Sequence, residues 1–138
     1  MNAAEVVEWL RGKAASSPHV AVRRAAVAHF AKHKRPEDGE CLIAFAKDAD
    51  TDVAVSAVDA LVHWRTLATI QALRSLTSHR NPAVAAAALA ALWKIEGPTV
   101  ENLFDVIEAA SKSRAWEVRV VALDLLATEK PEERRHFI

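Results

Sequence analysis

The chain has 138 residues, room for one domain with a core or for a short repeat array. Lys+Arg and Asp+Glu balance at 18 each, so the overall charge selects neither nucleic acid nor an anionic membrane, while 51% apolar and 26% charged residues exclude a disordered chain. A single cysteine, Cys41, excludes an intrachain disulfide, and three glycines with an alanine excess favour helix.

Residues 3–13 read as a helix with Val6, Val7 and Leu10 toward a core and Trp9 off that stripe. Glu5 and Glu8 stand where a secretory leader would need a basic start and an apolar run. No stretch approaches the ~18–20 apolar residues of a membrane span. A cytoplasmic location, with no membrane contact, is expected. Further helices are predicted over about 19–33, 37–47, 51–64, 67–78, 82–95, 99–112 and 116–128. Pro36, Pro98 and Pro131 fall where a first turn would start, and Pro82 opens an alanine-rich helix, NPAVAAAALAAL. The last segment, 131–138, reads as an unfinished hairpin ending in Phe137 and Ile138. Its apolar end is expected to be covered by a further repeat, by self-association or by a partner.

Four of these helices repeat one pattern. Val22/Ala26/Phe30, Val53/Ala57/Leu61, Val84/Ala88/Leu92 and Val118/Ala122/Leu126 share an i, i+4, i+8 spacing, and the valines step by 31, 31 and 34 residues. A second helix precedes each of the last three in register: Leu42, Leu73 and Ile107 stand eleven before the valine, and Gly39, Ile70 and Phe104 fourteen before. Thin, alanine-rich helices suit an array in which each helix is pressed between neighbours.

The valine–alanine–leucine spacing, the Val-Arg of VRRAA and VRVVA, and turns such as KDADTDV and SHRNPAV resemble HEAT repeats. The short period is similar to that of the subclass also found in phycobilin-lyase-type proteins. The resemblance spans nearly the whole chain and implies an all-α, right-handed α-solenoid of about three and a half HEAT-like hairpins, forming one domain over 1–138. Family repeats often pair an Asp in the turn with an Arg just after the Val. Here only Asp48 and the pair Arg23 and Arg119 match, so a continuous ladder is not expected.

Candidate chemistry is sparse. His29 and His33 lie one helical turn apart, with His63 at a related place one repeat on, a spacing at which imidazoles can share a metal. No carboxylate lies between them, and a structural or surface role is expected. Nothing beside Cys41 lowers its pKa, so no reactive thiol is expected. The basic run KHKR at 32–35 is met at once by Glu37, Asp38 and Glu40 and reads as a solvated loop. Trp93 and Trp64 are placed at the edge of the core, whereas Trp9 and Trp116 are the tryptophans expected to mark an interface. No catalytic residue, cofactor or metal is predicted.

In proteins of this resemblance the second helices line the binding face. That face would carry Glu37, Glu40, an exposed Ile43 and Lys47, then Gln71 and Arg74, then Asn102, Asp105, Glu108 and Lys112, joined by Trp9 and Trp116. Over 3–14, 36–47, 67–78 and 98–112 the second helices hold eight acidic and five basic side chains, the wrong sign for a phosphate backbone. The sequence therefore reads as a non-catalytic scaffold or adaptor that binds another protein or a peptide segment. The alternative is a phycobilin-lyase-like protein or lyase subunit, and nucleic-acid binding is disfavoured.

Overall fold

The computed structural model describes residues 2–97 and 101–127, the side chains of 101–104 excepted. The predicted segment 131–138 and Pro98 lie outside the described residues, as does the side chain of Phe104. Every regular element among the described residues is helical. The chain divides after Thr69 into two compact units.

In the first unit, α1 (Ala3–Gly12) is opened by Asn2, whose side chain accepts the Glu5 N–H at 2.8 Å and donates to the Glu5 carboxylate at 3.2 Å. The first bond satisfies one backbone donor that a helix start leaves free, and the second ties the two side chains together. The predicted core stripe of α1 is only half realised: Val6 is 39% exposed, Val7 and Leu10 are half-buried, and no residue of the helix is fully covered. Its neighbours are the following 3₁₀ turn, Ala14–Ser16, and the ion-pair partners of Arg11, which together cover little apolar surface.

α2 (Val20–His33) buries Ala26, Val27 and Phe30 and ends in Lys34. Lys34 adopts a left-handed conformation (φ 50°) and returns its N–H to the Phe30 carbonyl at 3.0 Å. The helix expected over 37–47 starts instead as a 3₁₀ turn, Pro36–Asp38, and becomes α3 (Gly39–Phe45). α4 (Thr51–Ala60) is capped by Asp50, which accepts the Val53 N–H at 3.1 Å, and its last turn tightens to 3₁₀ over Leu61–His63. α2 and α3 both pack against α4, burying Leu42, Phe45, Val53, Ala57 and Leu61 completely or nearly so.

The chain passes into the second unit within α5 (Leu67–Leu76), whose first turn is closed by Thr66 accepting the Thr69 N–H at 3.2 Å. The buried stripe of α5 is Thr69, Leu73 and Leu76; Ile70, predicted to face the core, sits half-buried at its edge. α6 (Pro82–Glu96) begins behind Asn81, which accepts the Ala83 N–H at 3.0 Å, and buries Val84, Ala85, Ala86, Ala88, Leu89, Ala91 and Leu92. Alanines on so many sides let neighbouring helices approach closely while keeping the best helix propensity. α7 (Glu101–Ser111) inserts Ile107, and α8 (Trp116–Ala127) inserts Val118 and Ala122, packing on both α6 and α7. Val120 and Leu123 of α8 stay exposed, and Leu126 is half-buried. Of the predicted core positions after α1, the Phe104 side chain lies outside the described residues, Val22, Ile70 and Leu126 are half-buried, and the others are buried.

Candidate functional site

The site begins with a size exchange. Ile70 and Phe104 stand in later hairpins where α3 has Gly39. The missing volume is supplied from the next helix: a Cβ on Gly39 would lie 2.7 Å from Cδ1 and 3.1 Å from Cγ of Trp64. The 3₁₀ turn at the end of α4 carries Trp64 into this space, and the indole N–H donates to the Arg35 carbonyl at 2.8 Å. A tryptophan predicted for the edge of the core is in fact buried, at 5% exposure. Tryptophan can be buried this deeply because its one polar atom has found a partner.

Beside the indole opens a cleft of about 420 Å³ within the first unit, between the start of α3 and the start of α5. Its wall is Pro36, Glu37, Gly39, Glu40, Ile43, Trp64, Thr66, Ala68 and Thr69. Three predicted binding residues, Glu37, Glu40 and Ile43, are therefore brought together. Ile43 is half-buried rather than exposed, because it forms part of the cleft wall. Glu37 pairs with Arg11 at 3.1 Å, while Glu40 is exposed and has no ion pair or hydrogen bond with any described residue. Lys47 is exposed farther along the chain.

Behind Glu37 lies a polar knot that joins Arg11, Asp38, Cys41 and His29. Asp38 is fully buried and accepts from Arg11 Nε at 2.6 Å; its other oxygen has no partner among the described residues. That hydrogen bond holds the Arg11 guanidinium above its ordinary pKa. The Cys41 thiol lies 3.8 Å from the Arg11 carbonyl, and burial, reinforced by Asp38, raises its pKa. His29 is half-buried, its Nε2 without a partner among the described residues and its ring 4.4 Å from that of His33. Burial lowers the His29 pKa, helped by His33 and Arg35 and opposed by Asp38. Among the described residues no three His, Cys, Asp or Glu side chains are grouped to hold a metal.

The turn pair of the repeat is present once among the described residues. Arg23 reaches Asp48 at 2.7 Å and donates to the Ser17 carbonyl at 2.8 Å. Arg119 makes the corresponding bond to the Ser113 carbonyl at 2.8 Å, and meets the Arg114 carbonyl rather than a carboxylate among the described residues.

In the second unit, Gln71, Asp105, Glu108 and Lys112 are exposed, with Glu108 and Lys112 loosely paired at 3.8 Å. Arg74 is half-buried, paired at 2.7 Å with a Glu96 carboxylate that is nearly covered. The side chain of Asn102 lies outside the described residues. Of the two interface tryptophans, Trp116 is 65% exposed as expected, whereas Trp9 is half-buried. Sequence reasoning missed two features, the Gly39–Trp64 exchange and the burial of Asp38. The first left a signal, a glycine in a core register and a tryptophan twenty-five residues on; the second left none.

A family model described as HEAT repeats matches residues 39–127, and the chain belongs to that family. The family and the all-helical architecture establish the HEAT-like fold class read from the sequence. No curated protein matches the chain.

Proposed function

We propose that this HEAT-repeat chain, as one repeat domain over 1–138, is a non-catalytic protein-binding scaffold that recognises a partner segment through its second helices. The cleft between α3 and α5 is the observation that carries the reading: a concavity on second helices, with a free carboxylate at its rim. Rigid helices presenting side chains on one face suit recognition of an extended segment. The acidic excess on these helices favours a protein segment with scattered Lys or Arg over a phosphate backbone. No helix among the described residues is long and apolar enough to cross a membrane, and we place the protein in the cytoplasm.

Charge reversal tests the reading. In affinity capture from the source cytosol followed by cross-linking, a Glu40→Lys, Asp105→Lys, Glu108→Lys variant should take up its specific partner more slowly and with a flatter salt dependence, because rim charges act on encounter. Reversing Asp52 and Asp124, on the first helices, should leave capture intact. The opposite result moves the binding face and overturns the assignment. Co-expression with a bilin should leave the visible spectrum empty, and a bilin absorbance band bound to the protein would replace the scaffold reading with a lyase-like one.

A further inference from the structure

We infer that the cleft beside Trp64 is a slot for one cationic side chain, the ammonium of a lysine or the guanidinium of an arginine, presented by an extended partner segment. The inference rests on the second-helix reading and adds the chemistry of a single subsite. Its wall offers one sign of charge. Glu37 and Glu40 are the ionisable groups of the wall, and Arg11 already occupies Glu37. Glu40 is left as the uncompensated carboxylate, exposed at the rim. Arg65, next in chain to Trp64, is exposed to solvent and is not part of the wall. An anion would find no cationic side chain in the wall to receive it.

The rest of the wall suits the stem of such a side chain. The Trp64 indole N–H is committed to the Arg35 carbonyl, so ring carbon and π surface are what the indole has left to offer. An aromatic ring attracts a nearby cation through its quadrupole, most strongly when it is tryptophan. The Thr66 hydroxyl is likewise committed, capping α5 at the Thr69 N–H and donating to the Thr69 hydroxyl at 3.1 Å. Ile43 and Pro36 supply apolar contact for the methylenes of a lysine or arginine, which ordinarily lie along apolar surface while the charged end stays wet. A volume of about 420 Å³ is within the range of pockets that hold small ligands. The slot depends on Gly39, because any side chain there would run into the indole.

The test is an NMR titration of the full, isotope-labelled chain with three Gly/Ser dodecapeptides carrying three Lys, three Arg or three Glu at matched spacing. The Lys and Arg peptides should shift the Trp64 indole N–H together with the Glu40 and Thr69 amides, and the Glu peptide should leave them in place. Glu40→Gln should weaken the cationic peptides about five- to tenfold. Glu108→Gln, in the other unit, should leave them within about twofold. Gly39→Ala, which displaces the indole, should abolish the Trp64 shift while the rest of the spectrum stays folded. Shifts confined to other second-helix residues overturn the slot and leave the second-helix reading standing. Shifts confined to α2, α4, α6 and α8 overturn both. No shift at millimolar peptide, equal response to the Glu peptide, or an unchanged affinity in Glu40→Gln overturns the slot alone.

Discussion

Residues 2–69 and 70–127 repeat one helical pattern and are sealed by different chemistry. The first unit closes its turns with charge: Asp38 and Asp48 are buried or nearly so, each held by an arginine at 2.6–2.7 Å, and Trp64 adds an indole hydrogen bond. The second unit closes mainly by contact, through the alanines and leucines of α6, with Arg74–Glu96 as its short ion pair among the described residues. Equivalent arginines show the difference most plainly. Arg23 and Arg119 both grip the carbonyl six residues back, and among the described residues only Arg23 has a carboxylate to go with it. A repeat pattern thus prescribes which helix faces are covered, and leaves the sealing of helix ends open to local solutions.

Removing the charge seal gives the largest expected effect. Arg23→Ala strands the nearly covered Asp48 and should cost about 3 kcal/mol in urea unfolding, the low end for breaking a buried pair, since some exposure remains. Arg119→Ala loses hydrogen bonds to carbonyls and should cost about 1 kcal/mol. Equal losses would erase the distinction between the units.

The packing seal is tested by Ala88→Leu. Ala88 is fully buried in α6, and the extra volume should cost about 1–3 kcal/mol, visible as a lower melting temperature. Ala83→Leu, at an exposed position of the same helix, should change stability by less than about 0.5 kcal/mol. Insensitivity at Ala88 would mean that α6 has slack and that its alanines do not seal the unit.

A smaller contrast lies within the first unit. Gly39→Ala should lose about 1 kcal/mol net, because the clash with Trp64 outweighs the gain in helix propensity. Gly12→Ala, where no atom lies within 4 Å, should be neutral or slightly stabilising. A more stable Gly39→Ala would show that the indole can move aside freely.

The smallest effect is a pH slope. The folded state holds the His29 pKa below its ordinary 6.5, so above that value neither state is protonated there and His29 contributes no slope. Below it the unfolded chain takes up the proton first, and stability falls as pH drops from about 6.5 toward the lowered folded value. His29→Asn should flatten that part of the stability–pH curve. An unchanged curve would assign the slope to other groups.

How far the sequence was legible follows from the same contrast. The buried residues Leu42, Val53, Ala57, Leu73, Val84, Ala88, Ile107 and Val118 were readable because apolar periodicity and the valine step register which face each helix hides. Arg23 and Asp48 were marked only by the resemblance to HEAT repeats, which implies an Asp in the turn and an Arg after the Val. What stayed hidden depended on partners distant in sequence. Glu37 and Asp38 look like two adjacent carboxylates at the start of a helix, yet Arg11, 26 and 27 residues earlier, pairs with Glu37 at the surface and with Asp38 inside. Ile43 shares its cleft wall with Trp64, which follows a 3₁₀ turn at the end of α4. Arg74 was assigned to the surface by periodicity alone and is half-buried, paired with Glu96.

The bond from the Trp64 indole to the Arg35 carbonyl spans 29 residues and has a consequence for dynamics. It is a side-chain proton, so helix fraying at any one backbone amide leaves it untouched. The loop after α2 and the end of α4 must separate before deuterium can replace it. Its exchange rate in heavy water is therefore a clock for opening of the first unit, readable as the slow loss of one indole resonance. Mutations that loosen a single helix should leave that clock unchanged, and those that part α2 from α4 should speed it.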